Sequence, residues 1–398
     1  MNLRGIALVL GAAQGLFLAA FLLGHKKQNR RANRILAWFL ILSTVTIAAP
    51  ELVRNYYAVL PHLVGATFTI PSLLGPVLFF YVKCLIAGVQ SSLYDGHVQS
   101  RLRVRKMALI HFLPFLTFTA YLIPFYLQSG NTKIAFFKNA TAQGLPLDFM
   151  LIWGLQCLHV IAYFGATVRL IQQHSQRLKN SFSYVEKINL RWLRNLIIGN
   201  AGLWFLYLGA FILYVFRIEI DPWGVLDYAF GYAMSVLVYG IGYVALRQPE
   251  VFSGAKLEPA NPQNSRKYER SGLSPEKAEA YARELKNYMV KHQPFKNPEL
   301  TLQELAAKLS LPPNHLSQII NDNLGQNFFD FINSYRVKAA QQALLDPAGE
   351  HLTILAIAYE AGFNSKSAFN AAFKKHAGMS PSQFKKTSSR TRQDDCAG

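Results

Sequence analysis

Two short sets of polar side chains carry the chemistry of this sequence. The first is Asn314, His315, Ser317, Gln318 and Asn321; the second is Asn364, Ser365, Lys366, Ser367, Asn370 and Lys374. Asn and Gln present a paired donor and acceptor that fit the edge of adenine, Lys reaches guanine or phosphate, and Ser suits either base. Asn364 and Ser365 stand where they cap a helix, which leaves backbone N–H groups free to face a phosphate. This is recognition chemistry, not bond-making chemistry. The sequence holds no P-loop, no nucleophile–base set and no cluster of ligands at metal spacing; Cys157-Leu-His159 has no further ligands to complete a site. Gly240-Ile-Gly242-Tyr-Val-Ala245 imitates a dinucleotide fingerprint, but it lies in an apolar run with no strand before it. The chain therefore reads as no enzyme, with no cofactor and no metal.

Both polar sets sit inside copies of one pattern. The first copy, LQELAAKLSLPPNHLSQIINDNLG, starts at Leu302, and the second, ILAIAYEAGFNSKSAFNAAFKKHAG, at Ile354. Leu302, Leu305, Ala306 and Leu311 align with Ile354, Ile357, Ala358 and Phe363. With one extra residue in the second turn, Leu316, Ile320 and Gly325 align with Phe369, Phe373 and Gly378. Each copy predicts a short helix, a tight turn, a second helix and a glycine stop, which is a helix-turn-helix, over about 302–325 and 354–378. Ala306 and Ala358 are small where the two helices of a unit cross. Gly362 supplies positive φ in the second turn, where the first turn has Ser310. A polar helix face also serves plain solvation; two aligned units favour recognition. Upstream, Ser274-Pro275-Glu276 starts a helix whose stripe of Ala278, Tyr281, Ala282, Leu285 and Met289 would pack on the same domain or on a second copy of the chain.

The rest of the chain is different in kind. Hydrophobic residues make up 51% and charged residues 16%, low in charge for a soluble protein. From Val251 onward there are 19 Lys and Arg against 14 Asp and Glu, so only +5 of the net +19 belongs to the C-terminal part. Apolar runs near Ile6–Leu23, Ile35–Ala49, Leu63–Val82, Ala108–Leu127, Phe149–Val168, Leu196–Phe216 and Val225–Leu246 approach the length that crosses roughly 30 Å of hydrocarbon. Cations fill alternate connections: Lys26, Lys27, Arg30, Arg31 and Arg34; then Arg101, Arg103, Arg105 and Lys106; then Arg169, Arg177, Lys179, Lys187, Arg191 and Arg194. The intervening connections carry few, with Arg54, Lys133, Lys138 and Arg217. This positive-inside alternation predicts about seven spans, an outside N-terminus and a cytoplasmic C-terminus. The first run is not read as a signal peptide, because its cations follow it and no cleavage site ends it. Cys84, Cys157 and Cys396 imply no disulfide framework.

Within the spans, His111, His159, Asn200 and Asp227 are candidates for a ligand-lined or polar core, or for interhelical hydrogen bonding. Gly11-x-x-x-Gly15 would let two helices approach closely, and Pro71, Pro76, Pro114 and Pro124 are expected to kink their helices. The predicted organisation is a membrane domain over 1–248, a linker over 249–273, a DNA-binding domain over 274–388 and a tail over 389–398. The fold class is all-α: about seven transmembrane helices followed by a cytoplasmic tandem helix-turn-helix.

The stretch Gly362-Phe363-Asn364-Ser365, with Phe369, Phe373-Lys374-Lys375, Gly378 and Ser380-Pro381-Ser382-Gln383-Phe384, resembles the signature of the AraC/XylS family of transcription regulators. Leu305-Ala306, Leu316-Ser317, Gly325, Phe328 and Arg336 are similar to that family's first half. The resemblance implies two reader helices, joined by a long helix near Phe329–Leu345, that enter successive major grooves on one face of DNA. The sequence departs from the family pattern at Ser310, Pro312, Gln318 and Ala371. The multi-span layout is similar to membrane-anchored members of the family. The whole implies a one-component regulator in a bacterial inner (cytoplasmic) membrane, whose partners are promoter double-stranded DNA, membrane lipid and a small-molecule or envelope signal. A second copy of the chain, and RNA polymerase for an activator, complete the expected partners. The alternative is a transporter or receptor-like membrane protein with a DNA-binding feedback domain, which an inverted repeat among the spans would mark; none is evident.

Overall fold

The computed structural model describes residues 3–24, 30–93, 109–185, 190–216, 225–247, 273–346 and 352–387. The expected tail, the expected linker apart from Leu273, and the loop cations Lys26, Lys27, Arg101, Arg103, Arg105, Lys106, Lys187 and Arg217 lie outside these residues. Regular structure among the described residues is helical, with one isolated antiparallel bridge between Phe182 and Thr301. The chain divides into two units: Met1–Gln173 with Leu190–Leu257, and His174–Asn189 with Glu258–Gly398.

The first unit contains α1 (Leu3–Gly24), α2 (Arg30–Tyr56), α3 (Pro71–Leu93), α4 (Leu113–Tyr126), α5 (Gly130–Gln143), most of α6 (Leu147–Ser181), α7 (Arg191–Val215) and α8 (Val225–Arg247). α1 packs on α2 and α8, and α2 on α3. The Gly11–Gly15 pair is used for close approach: a Cβ at Gly11 would stand 2.7 Å from Ser235 Oγ of α8, and one at Gly15 would overlap Thr44 Oγ1 of α2.

The expected seven spans are not supported. Among the described residues, α2, α6 and α7 are long and apolar enough to cross a membrane. The pair Ile110–Tyr126 and Gly130–Gln143 makes a fourth only if its 111° bend lies within one span. Proline placement and turns alter the expected third and fourth runs. Residues expected to open the third span fold instead into 3-10 turns around Pro61–Leu63, and α3 starts only at Pro71. Pro71 and Pro114 stand at helix starts, where a missing N–H costs nothing, so they begin α3 and α4 where kinks were expected. Pro76 and Pro124 do lie inside their helices.

The second unit has two apolar cores threaded by one helix. α9 (Pro275–His292), α10 (Leu302–Lys308), α11 (Pro313–Gln318) and a π turn over Ile319–Asn323 surround the first; α13 (Ile354–Glu360) and α14 (Lys366–Ala377) surround the second. Through both runs α12 (Phe328–Leu345), giving Phe328, Phe331 and Ile332 to the first core and Val337, Ala340 and Leu344 to the second. Its start is set by Asn327, whose Oδ1 accepts from the Asp330 amide at 2.9 Å. The stripe on α9 is consumed here: Ala282, Leu285 and Met289 are buried in the first core, with Tyr281 packed against it. The stripe thus packs on its own domain, the first of the two sequence readings.

Candidate nucleic-acid interface

Each reader unit is built from its caps inward. Thr301 and Glu304 form a reciprocal cap on α10: the Glu304 amide donates to Thr301 Oγ1 at 3.2 Å and the Thr301 amide to Glu304 Oε2 at 2.9 Å. Thr353 caps α13 and Ser365 caps α14 one way only, each side-chain oxygen accepting an amide at 3.1 Å. The two turns have the left-handed residue that the alignment pairs: Ser310 at φ 52° and Gly362 at φ 94°. Ser310 carries the conformation despite its Cβ, at a cost of roughly 1–2 kcal/mol. Gly362 cannot be replaced so simply. A Cβ there would overlap the carbonyl oxygen of Phe295 and stand 2.9 Å from the Lys296 backbone.

The second helix of each unit buries one face and presents the other. In α11 and the π turn, Leu316, Ile319 and Ile320 are buried while Asn314 and Gln318 are exposed. His315 and Ser317 are half-buried, and the Asn321 amide turns back to donate to Ser317 O at 2.8 Å and Ser317 Oγ at 3.2 Å. In α14, Phe369, Ala372 and Phe373 are buried, and Lys366, Ser367, Asn370 and Lys374 stand exposed. The spacing of Lys366, Asn370 and Lys374 puts them one above another on a single face. Asn364 is half-buried ahead of the cap, and its Oδ1 is buried without a hydrogen-bond partner. Each predicted set is thus brought together on its own helix, with Ser317 and Asn321 committed to each other. Lys375, just off this face, pairs with Asp330 of α12 at 2.7 Å.

What fixes one reader unit against the other is Arg336, midway along α12. It is buried, and burial pushes its pKa down to about 10, so the guanidinium remains charged at neutral pH. Oxygens take the place of a counter-ion: Nε donates to Phe295 O at 2.7 Å, Nη2 to Asn297 O at 2.8 Å and Nη1 to Asn333 Oδ1 at 3.2 Å. Its guanidinium carbon stands 5.8 Å from the centre of the Phe363 ring in the second turn. Phe295 O therefore meets Arg336 on one side and Gly362 on the other. Arg336 entered the sequence reading only as a family position. Its hub role was illegible because its partners are backbone carbonyls, which any sequence supplies.

Of the polar candidates of the first unit whose side chains are described, two meet and the third does not join them. His111 Nδ1 hydrogen-bonds Tyr163 Oη, and the His159 ring centre lies 4.8 Å from that of Tyr163, so these two histidines share one tyrosine. Asn200 is buried elsewhere with its Oδ1 unpartnered, and the Asp227 side chain lies outside the described residues. A cavity of about 170 Å³ is lined instead by aromatic residues, among them Trp153, Trp204, Tyr207, Phe211, Tyr214 and Phe230. The repeat of Trp204, Tyr207, Phe211 and Tyr214 along α7 was the available signal. Glu51 was also missed: buried, it accepts from Asn55 Nδ2 at 2.9 Å and from Arg54 and Tyr228 Oη at 3.1 Å each.

Residues 305–387 match the model of a family described as a helix-turn-helix domain. Over 94 residues, 24% of this chain, the sequence is 33% identical to the melibiose operon regulatory protein of Escherichia coli. Over another 94-residue alignment it is 32% identical to an uncharacterized HTH-type transcriptional regulator, YtdP, of Bacillus subtilis. These stretches span 30% and 12% of the two relatives' own lengths, so the likeness is that of a domain. The solved C-terminal domain of AraT, a response regulator from Geobacillus stearothermophilus, is 34% identical, with 29% of this chain and 88% of that one covered, at a TM-score of 0.24. The two aligned units, the family match over 305–387 and the two regulators place a helix-turn-helix domain of the AraC/XylS type in the C-terminal part of this chain.

Proposed function

We propose that the chain is a membrane-bound, one-component transcription regulator, not an enzyme, that binds promoter DNA sequence-specifically through α11 and α14. The observation that carries this is the pair of polar-faced second helices, each on its own core, joined by the single helix α12. An 18-residue helix is about 27 Å long, a rigid spacer comparable to the roughly 34 Å that separates successive major grooves on one face of DNA. In this reading Asn314, Gln318, Asn370 and Lys366 read base edges. Ser365, Ser367, Lys374 and the amides at the start of α14 hold phosphate, and His315, Ser317, Asn321 and Asn364 shape the approach.

Membrane residence is supported by the outward surface of the first unit. Phe17, Leu206 and Val236 are 69%, 73% and 71% exposed on long apolar helices. Exposed apolar surface of that kind suits lipid better than water. In this reading α8 crosses the bilayer as well as α2, α6 and α7, which puts the cation-rich stretches at 30–34 and 169–194 on the cytoplasmic side with the reader, and the aromatic cavity offers space for an apolar signal molecule. The test is selection of duplexes from a random-sequence pool by the full-length protein in lipid nanodiscs. A two-part motif with halves about one helical turn apart supports the reading. Enrichment of no sequence would defeat it.

A further inference from the structure

The reader unit includes a segment from far upstream. Residues 174–189, between the body of α6 and the start of α7, cluster with the C-terminal part of the chain and not with the helices that flank them. The contact is specific. Phe182 pairs with Thr301 as an antiparallel bridge, the Ser183 amide donates to Leu300 O at 3.3 Å, and Ser183 Oγ donates to the same oxygen at 2.7 Å. Phe182, Ser183 and Val185 are all buried. Ser183 also reaches the hub: Arg336 Nη1 donates to Ser183 O and Nη2 to Ser183 Oγ, each at 3.2 Å.

We infer that segment 182–185 is a built-in docking strand that completes the Arg336 hub and thereby sets the angle between the two reader units. The chemistry requires such a piece. A guanidinium has five N–H donors, and a buried one without acceptors is strongly destabilised. Phe295 O, Asn297 O and Asn333 Oδ1 serve three of them, with Pro298 O a longer second contact of Nη2 at 3.4 Å; Ser183 serves the remaining two. With Ser183 withdrawn, Arg336 must seek water. Its grip on Phe295 O then loosens, and so does the seat of Gly362 on that same carbonyl. The reader helices themselves stay intact, because their cores contain no residue of the segment. Affinity for a two-part site falls, since that site needs both helices held at one spacing, while affinity for either half alone does not. The segment is tied at its ends to α6 and α7, both long and apolar enough to cross a membrane. A shift between those helices reaches Ser183 through a short length of chain. This gives the sensor a route to the reader without a second copy of the protein, and it rests on the DNA-reader assignment above.

The experiment uses the full-length protein in nanodiscs and duplexes selected by the wild type, each tested whole and as separate halves. Ser183→Ala, which keeps the backbone bonds and removes the hydroxyl, is expected to weaken binding to the whole duplex about three- to tenfold and to leave each half within about twofold. Ser183→Pro, which also removes the donor amide, should do so more strongly and should raise deuterium uptake over 295–301. If Ser183→Pro fails to fold, Ser183→Ala decides the matter alone. Unchanged whole-duplex affinity for Ser183→Ala, or equal loss on halves and whole, overturns the docking role while the reader assignment stands. A wild type with no preference for any duplex overturns both.

Discussion

Gly362→Ala should unseat the second reader unit, and the size of the effect follows from two features of its site. Its φ of 94° is a conformation that an L side chain adopts at a cost of roughly 1–2 kcal/mol. The added Cβ would also overlap Phe295 O, so that backbone must move away from Arg336 Nε, which donates to it at 2.7 Å. Losing a hydrogen bond from a buried charge costs about 1.5–3 kcal/mol. Together the loss is about 2.5–5 kcal/mol, a large share of the 5–15 kcal/mol that holds a typical domain. Gly325→Ala is the matched control. Its φ is 64°, but nothing stands within 4 Å of the new Cβ, so only the conformational cost of about 1 kcal/mol applies. The assay is amide hydrogen exchange on the full chain. Protection of Phe369 and Phe373 in α14 should fall at least about sixtyfold for Gly362→Ala, since 1.4 kcal/mol is a factor of ten. The control should leave it nearly unchanged. Equal effects of the two substitutions would refute the claim that Phe295 O is the contact that matters.

Other expectations follow from the same structure. Thr301→Ala removes the side-chain half of the reciprocal cap on α10, the acceptor of the Glu304 amide, and should lower the stability of the first reader unit by about 1 kcal/mol, read by exchange of the Leu305 amide. Ser310→Gly relieves a left-handed serine and should stabilise the same unit by up to about 1 kcal/mol, with destabilisation counting against the turn geometry. Leu285→Asp puts a charge into the first core and should abolish DNA binding by the protein altogether; intact binding would show that α9 is a mere spacer. Gln318→Ala and Asn370→Ala should each relax base preference at a separate sub-site by about 1–3 kcal/mol. Lys374→Ala should instead weaken binding to all sequences and lower the salt slope by about one. Reporter fusions at Lys138 and Glu258 should report opposite sides of the membrane, and the same side for both would contradict the proposed orientation.

The reader half was largely legible because its signals are local. Aligned apolar positions, a capping residue at Ser365 and a turn residue at Gly362 each announce themselves within a few residues, whereas the caps Thr301 and Thr353 were passed over. The linking helix began one residue before the expected Phe329, at Phe328, because Asn327 is its cap. The N-terminal half was harder to read because hydropathy measures composition and not continuity. The apolar stretch from Leu63 contains 3-10 turns, and the one through Leu127 ends in a sharp bend, features that a window average passes over. Polar candidates chosen one by one missed Glu51, whose burial depends on Tyr228 far along the chain. The docking of Ser183 was invisible for a related reason: a serine in a cationic connection has no periodic pattern to mark it, and its partners are backbone groups of Leu300 and the distant Arg336.

The central claim is that one chain both resides in the membrane and reads promoters through two helices. It is tested most directly by crosslinking DNA to the full-length protein in living cells, recovering the membrane fraction and sequencing what is bound. The account predicts a small number of discrete promoter sites sharing a two-part motif, in the membrane fraction, and their loss when Gln318 and Asn370 are both changed to alanine. Bound DNA without a shared motif, or the same sites recovered from soluble protein with the membrane fraction empty, would contradict it.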